Sequence, residues 1–220
     1  MPILSNLLVK TSAKKLFLTG TDTEVELSST IPLEGVSEQG EITVPARKLV
    51  DICKSLPEGS DIAFTLEEGK AIVQSGRSRF ALATLAATDF PTVQSDGGQF
   101  TVTVNQRDFR SLVDRTAFSM AQQDVRYYLN GMLWELSGST LKAVATDGHR
   151  LAIAEVALQE KAAGGKKQFI VPRKGVQELT RLLSDEQENI TFEFGENHIR
   201  AIAGDMVFVS KLVDGKFPDY

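Results

Sequence analysis

An α+β architecture, with a βαβββ unit used repeatedly, is the fold class this sequence predicts, and three observations carry the prediction. The chain repeats itself: VPARKLVDICKSLP at 44–57 answers VPRKGVQELTRLLS at 171–184. Val44 and Pro45 recur 127 residues on as Val171 and Pro172, and Leu85, Phe90 and Pro91 recur at the same offset as Leu212, Phe217 and Pro218. Thr21 and Asp22 recur 125 residues on as Thr146 and Asp147. A spacing this long indicates duplicated domains and not a solenoid of small repeats. The second observation is the number of short apolar runs separated by Gly, Asp and Asn, which favour antiparallel sheets. The third is the scarcity of helical periodicity, confined to a few amphipathic stretches that pack together on one side of the sheets.

The elements follow in order. In the first copy, Leu49, Ile52, Cys53 and Leu56 share one face of a helix over 45–56. The polar stretch QSDGGQF at 94–100 breaks every hydrophobic period and divides a first domain, 1–94, from a second, 100–220. The second copy opens with the strand FTVTV and a helix carrying Phe109, Leu112, Val113, Ala117 and Met120 at helical spacing, followed by strands near 130–136, 141–146 and 150–156. QFIVPRKGVQELTRLL then repeats the strand-to-helix step with Val176, Leu179 and Leu183 on one face, before strands at 190–194, 198–203 and 206–213. With Leu4 aligned to Leu129, the second copy has 29 residues ahead of that point and the first copy three. The chain is therefore expected to begin inside its first domain, lacking a strand, a helix and a polar connection.

Composition narrows the function classes. No run approaches the ~18 apolar residues of a membrane span, and no signal-peptide order opens the chain, so a cytoplasmic protein with no membrane partner is expected. The single cysteine, Cys53, is expected to be a small buried hydrophobe and not a nucleophile. His149 and His198 lie 49 residues apart without clustered Cys or carboxylate partners, so neither metal nor cofactor is expected.

The net charge of −5 hides an uneven distribution. Residues 44–57 carry +2, 172–184 carry +2 and 105–120 carry +1, which leaves −10 for the rest. Arg47 and Lys54 stand opposite the apolar face of their helix, about 10 Å apart, and map at the 127 offset to Lys174 and Arg181. Three helices leaning basic on an acidic protein suit sequence-independent, salt-sensitive contact with a polyanion. No base-reading motif accompanies them.

The stretch LKAVATDGHRLAIAE, 141–155, sets Thr146, Asp147, Gly148, His149 and Arg150 between two strand-like runs. Asp147 and His149 would make an acid–base pair, but Asp-Gly between strands is a hairpin signal. The first copy keeps Thr21 and Asp22 while placing Thr23 and Glu24 where Gly148 and His149 stand, so the shared part reads as structural. Nucleophile elbow, P-loop and HExxH motifs are lacking, and a binding corner is preferred to an enzyme, with Gly148 opening space beside Leu129 and Leu151. Tyr127 and Tyr128, beside Gln123 and Arg126, read as core or rim aromatics that an exposed position would turn toward nucleic acid or peptide.

Taken together, VPARKLVDICKSLPEG, SGRSRF, FSMAQQDVRYYLNGM, TDGHRLA, VPRKGV and SKLVDGKFPDY closely resemble the bacterial DNA sliding clamp family, the beta subunit of DNA polymerase III. The resemblance implies a DNA clamp fold: a head-to-tail homodimer ring of three similar domains per chain, with sheets outside and paired helices lining the hole around duplex DNA. It implies that the third domain is absent here, so that this chain alone does not close a ring. The implied peptide pocket comprises Leu129, Thr146, Gly148, His149, Arg150, Leu151 and Pro218, edged by Arg126 and Tyr128. The implied DNA contacts fall at Gln123, Tyr127, Tyr128, Arg47, Arg173 and Lys174, to which the helix charges add Lys54 and Arg181. The implied dimer interface lies around Lys48, Arg77, Arg79 and Phe80. Function then reads as a non-enzymatic processivity factor serving the replicative polymerase, the clamp loader and other clamp-binding proteins. A stand-alone peptide-docking module without DNA encirclement is the alternative.

Overall fold

The computed structural model describes residues 2–34, 38–93, 98–162, 165–183 and 188–220. Most of the predicted linker, 94–97, lies outside the described residues. The chain forms two compact units, Met1–Thr92 and Val93–Tyr220.

In Met1–Thr92, strands β1 (Asn6–Ser12), β2 (Lys15–Thr21), β3 (Val25–Pro32) and β4 (Gly40–Pro45) pair antiparallel in the order β4-β1-β2-β3. Helix α1 (Ala46–Ser55) leads to β5 (Ala63–Glu67), β6 (Lys70–Ser75) and β7 (Ser78–Ala83), a three-stranded antiparallel sheet. The apolar face of α1 meets this core through Ile52, which packs with Val9, Val44, Val73 and Leu82. Buried Thr43 joins the pieces: its Oγ1 accepts from Asn6 Nδ2 at 2.9 Å and donates to Leu85 O at 2.8 Å.

In Val93–Tyr220 the unit is complete twice over. The first pass runs β8 (Phe100–Asn105), α2 (Gln106–Asp114), β9 (Gly131–Ser137), β10 (Thr140–Thr146) and β11 (Leu151–Ala157). The second runs β12 (Lys167–Pro172), α3 (Arg173–Leu182), β13 (Asn189–Phe194), β14 (His198–Ala203) and β15 (Met206–Lys211). The leading strands trade places: β12 pairs with β9 and β8 with β13, so each sheet contains strands from both passes. Helices α2 and α3 touch each other, α2 also meets β11, and α3 meets β9. Trp134 of β9 is fully buried, edge-on to Phe109 of α2 at 5.1 Å and to Phe192 of β13 at 5.3 Å, so one aromatic cluster joins helix and both sheets.

The recurring Val-Pro has a local cause. Pro45 and Pro172 end a strand at a position that needs no amide donor, and their φ of −58° and −56° already suits the helix that follows. Asn105 starts α2 differently, its Oδ1 accepting from Arg107 N at 3.0 Å.

Two expectations need correction. Helix α2 stops at Asp114, so Ala117 and Met120 lie beyond it, in and after a short 3-10 turn at Ala117–Ser119. Buried Thr116 ends the helix by turning its hydroxyl back to Leu112 O at 2.9 Å. Cys53 is exposed, not buried. Among the described residues, Met1–Thr92 has only α1 as an α-helix.

Candidate functional site

Residues 146–151 close the β10–β11 hairpin, with Thr146 paired to Leu151. Thr146 Oγ1 donates to Arg150 O at 2.6 Å and accepts from Gly148 N at 3.1 Å. Asp147 Oδ1 accepts from His149 N at 2.9 Å and Arg150 N at 3.0 Å, which lowers its pKa, the His149 amide contributing most. The first unit has the same turn: Thr21 Oγ1 bonds Val25 O and Thr23 N, and Asp22 Oδ1 accepts from Glu24 N and Val25 N. Gly148 has φ +88° and Thr23, at its place, φ +78°. The Thr-Asp pair therefore builds the turn, as the repeat predicts, and its side chains are occupied in doing so.

A loop, 122–130, lies beside the turn of the second unit. Asn130 braces it by exchanging hydrogen bonds with Asp124, Asp124 N to Oδ1 at 2.9 Å and Nδ2 to Asp124 O at 2.8 Å. Asp124 then grips Arg126 through Nε at 3.0 Å and Nη2 at 2.8 Å. These bonds, with the Arg126 amide, hold the Asp124 carboxyl at about 2, and the charge of His149 adds a smaller pull. Arg126 Nη2 also reaches Asp147 O at 3.2 Å, bridging loop and turn. The space beside Gly148 is thus not open toward Leu129 and Leu151 as expected: the Arg126 guanidinium fills it.

The predicted pocket residues divide by burial. Leu129 is buried with Leu133, Val144, Ile170 and Phe217. Leu151 and Ile153 are half-exposed on the edge strand β11, and Arg150 lies over the exposed ring of Phe118 at 5.6 Å. Val125, 95% exposed on the loop, is a further exposed apolar side chain that periodicity does not single out. Pro218 is exposed beside buried Phe217. A cavity of about 310 Å³ opens instead beneath 212–217, against Leu133, Phe169 and Ile170, and none of the predicted pocket residues lines it.

Of the predicted DNA-contacting residues, Arg47, Lys54, Lys174 and Arg181 are exposed on their helices. Arg181 is paired with Glu178 at 2.7 Å. Arg173 is half-buried and donates to Met120 O at 3.1 Å, so it also tethers α3 to the loop. Gln123 holds φ +56°, and Tyr127 is exposed with its ring edge-on to Tyr128 at 5.7 Å. In the first unit, Lys48 and Arg77 are exposed, Arg79 pairs with Glu67 at 2.7 Å, and Phe80 is half-buried against the core. Among the described residues, no group of His, Cys, Asp and Glu is arranged to hold a metal ion.

Residues 103–219 match the family model of the DNA polymerase III beta subunit, central domain, and residues 1–94 match that of its N-terminal domain. The chain belongs to the DNA polymerase III beta subunit family. The Beta sliding clamp of Pseudomonas aeruginosa is 54% identical over 220 residues, all of this chain and 60% of that protein. The crystal structure of the DNA polymerase III subunit beta from the same organism superposes with a TM-score of 0.96 at 54% identity, covering all of this chain and 60% of its own. A P. aeruginosa clamp bound to griselimycin superposes at 0.94 with 55% identity, again over the whole chain and 59% of its own length. The chain thus spans about 60% of the length of the relatives it matches. The predicted α+β clamp fold stands.

One buried charged residue has no sequence signal. Glu135, in the middle of β9, is 4% exposed, and its carboxylate gathers Lys166 Nζ at 2.8 Å, Gln168 Nε2 at 2.8 Å and Tyr220 Oη at 3.2 Å. Burial pushes its pKa up, but the Lys166 and Gln168 bonds outweigh burial and hold it below the ordinary range. A lone Glu in an apolar strand carries no sequence signal of such partners, which come from elements 31 to 85 positions away.

Proposed function

We infer that the protein acts as a processivity factor of bacterial DNA replication: a cytoplasmic, non-catalytic sliding clamp that encircles duplex DNA as part of a homodimeric ring and tethers the replicative polymerase, the clamp loader and other clamp-binding proteins. The observation that carries the reading is the likeness to sliding clamps along the whole chain, in sequence and in fold together. The chemistry of the site supports it. Asp147, the acid that would serve His149, is spent on the amides of its own turn, so the pair is not poised for proton transfer.

In this reading Arg47, Lys54, Lys174 and Arg181, with Gln123, Tyr127, Tyr128 and Arg173, meet phosphates without reading bases. Weak contacts suit sliding, because topology and not affinity retains the protein. Peptides dock where Thr146, Gly148, His149, Arg150 and Leu151 adjoin Leu129, Pro218, Arg126 and Tyr128. Apolar side chains would rest on Leu151 and Ile153, and Arg126 and His149 would supply donors. Lys48, Arg77, Arg79 and Phe80 belong to the ring contact. The test is primer extension by a bacterial replicative polymerase and its loader, with protein purified from the cells that make it. Products lengthening severalfold in single encounters are expected, and unchanged product length overturns the reading.

A further inference from the structure

Residues 212–220 form a strap across the outer face of β9 and β12, fastened at separate points. Leu212 N donates to Asn197 O at 2.8 Å and Val213 N to Ile170 O at 2.9 Å. Gly215 lies against Tyr127 and Tyr128. Phe217 is buried in the cluster that holds Leu129. At the far end, Tyr220 Oη donates to Glu135. Val213 and Phe217 pack onto the Leu129 cluster, and the 310 Å³ cavity opens beneath 212–217. A segment supported by few contacts takes its position from its fastenings.

Glu135 is an expensive fastening, since a buried carboxylate needs several donors to offset its desolvation. Three donors reach it from outside its strand, and Lys142 Nζ stands at 3.9 Å on the neighbouring one. An apolar residue would fill this place on the sheet face at less cost. The exposed Pro218 stands between the two anchors Phe217 and Tyr220.

We propose that Glu135 is a positioning residue for the peptide site: its buried carboxylate holds Tyr220, and through Tyr220 fixes where Phe217 and Pro218 lie against the Leu129 cluster. The proposal rests on the docking reading given above.

The test uses the 220-residue chain with Glu135→Gln and Tyr220→Phe. The second variant removes a single hydroxyl and keeps the ring. The probe is a synthetic peptide with a glutamine followed by paired leucine and phenylalanine. Amide exchange over 212–220 should quicken by about tenfold in both variants while β9 and β10 stay protected, and peptide Kd should rise by about three- to tenfold. Tyr220 faces the Glu135 carboxylate and the Lys166 ammonium, and burial together with Glu135 raises its pKa. In Glu135→Gln its ring-carbon titration should move back toward the ordinary value of about 10, while in Glu135→Asp, which keeps the carboxylate, it should stay raised. Unchanged strap exchange in Tyr220→Phe overturns the proposal, as does faster exchange with unchanged Kd. If the wild type binds no peptide, the docking reading fails and the positioning claim with it, while the exchange result still reports whether Glu135 holds the strap.

Discussion

Arg126 occupies the space that a side chain at Gly148 would take: both terminal guanidinium nitrogens stand 2.9 Å from where its Cβ would be. Gly148→Trp must therefore displace Arg126 from Asp147 O and fill the corner itself. Holding an L residue at φ +88° costs about 1–2 kcal/mol, a strain the first unit tolerates at Thr23. The fold should be retained, and peptide binding, expected at micromolar Kd or weaker, about −8 kcal/mol or less in magnitude, should be lost. DNA binding should persist through Lys174 and Arg181, which lie on α3 and not in this turn. Calorimetry on both proteins decides it, and equal peptide binding removes residues 146–151 from the site.

Acid should release Arg126. The folded pKa of Asp124, about 2, lies below the ordinary value of about 3.9. The clasp therefore contributes fully above that ordinary value and is lost as pH falls through 2. Carboxyl carbon NMR should find Asp124 titrating near 2, and Asp124→Asn should reproduce the acid-induced shifts around Gly148 at neutral pH. Titration near 3.9 would show that Asp124 does not hold Arg126.

Charge reversal at Arg47, Lys174 and Arg181 together should weaken DNA binding at low salt and flatten its salt dependence, the log–log slope falling by about one for each phosphate that is no longer neutralised. Arg181, paired with Glu178, should contribute less than Arg47. Fluorescence titrations across a salt series measure both, and an unchanged slope would place the basic faces away from DNA.

Much of this was legible locally. Val-Pro marked both strand-to-helix steps because proline presets helical φ, and Thr-Asp marked both turns because their side chains cap them. The strand bounds followed from alternation and turn residues. Non-local features were not legible. No local signal distinguishes β12 pairing with β9 from other pairings, and the exposure of Cys53 depends on which residues of the core its helix face meets. Arg126 over Gly148 and Lys166 on Glu135 are contacts between residues far apart in the chain, and neither pair has a spacing that announces it. The apolar loop tip at Val125 was likewise silent because a single exposed valine looks like any other.

The most direct measurement of the clamp reading is retention on DNA. Protein purified from the cells that make it, loaded by a clamp loader onto nicked circular DNA, should remain bound through gel filtration at a salt concentration that abolishes ordinary phosphate contacts, and should be released when the circle is linearised. Equal loss from circular and linear DNA would contradict encirclement and leave a peptide-docking protein without a topological hold.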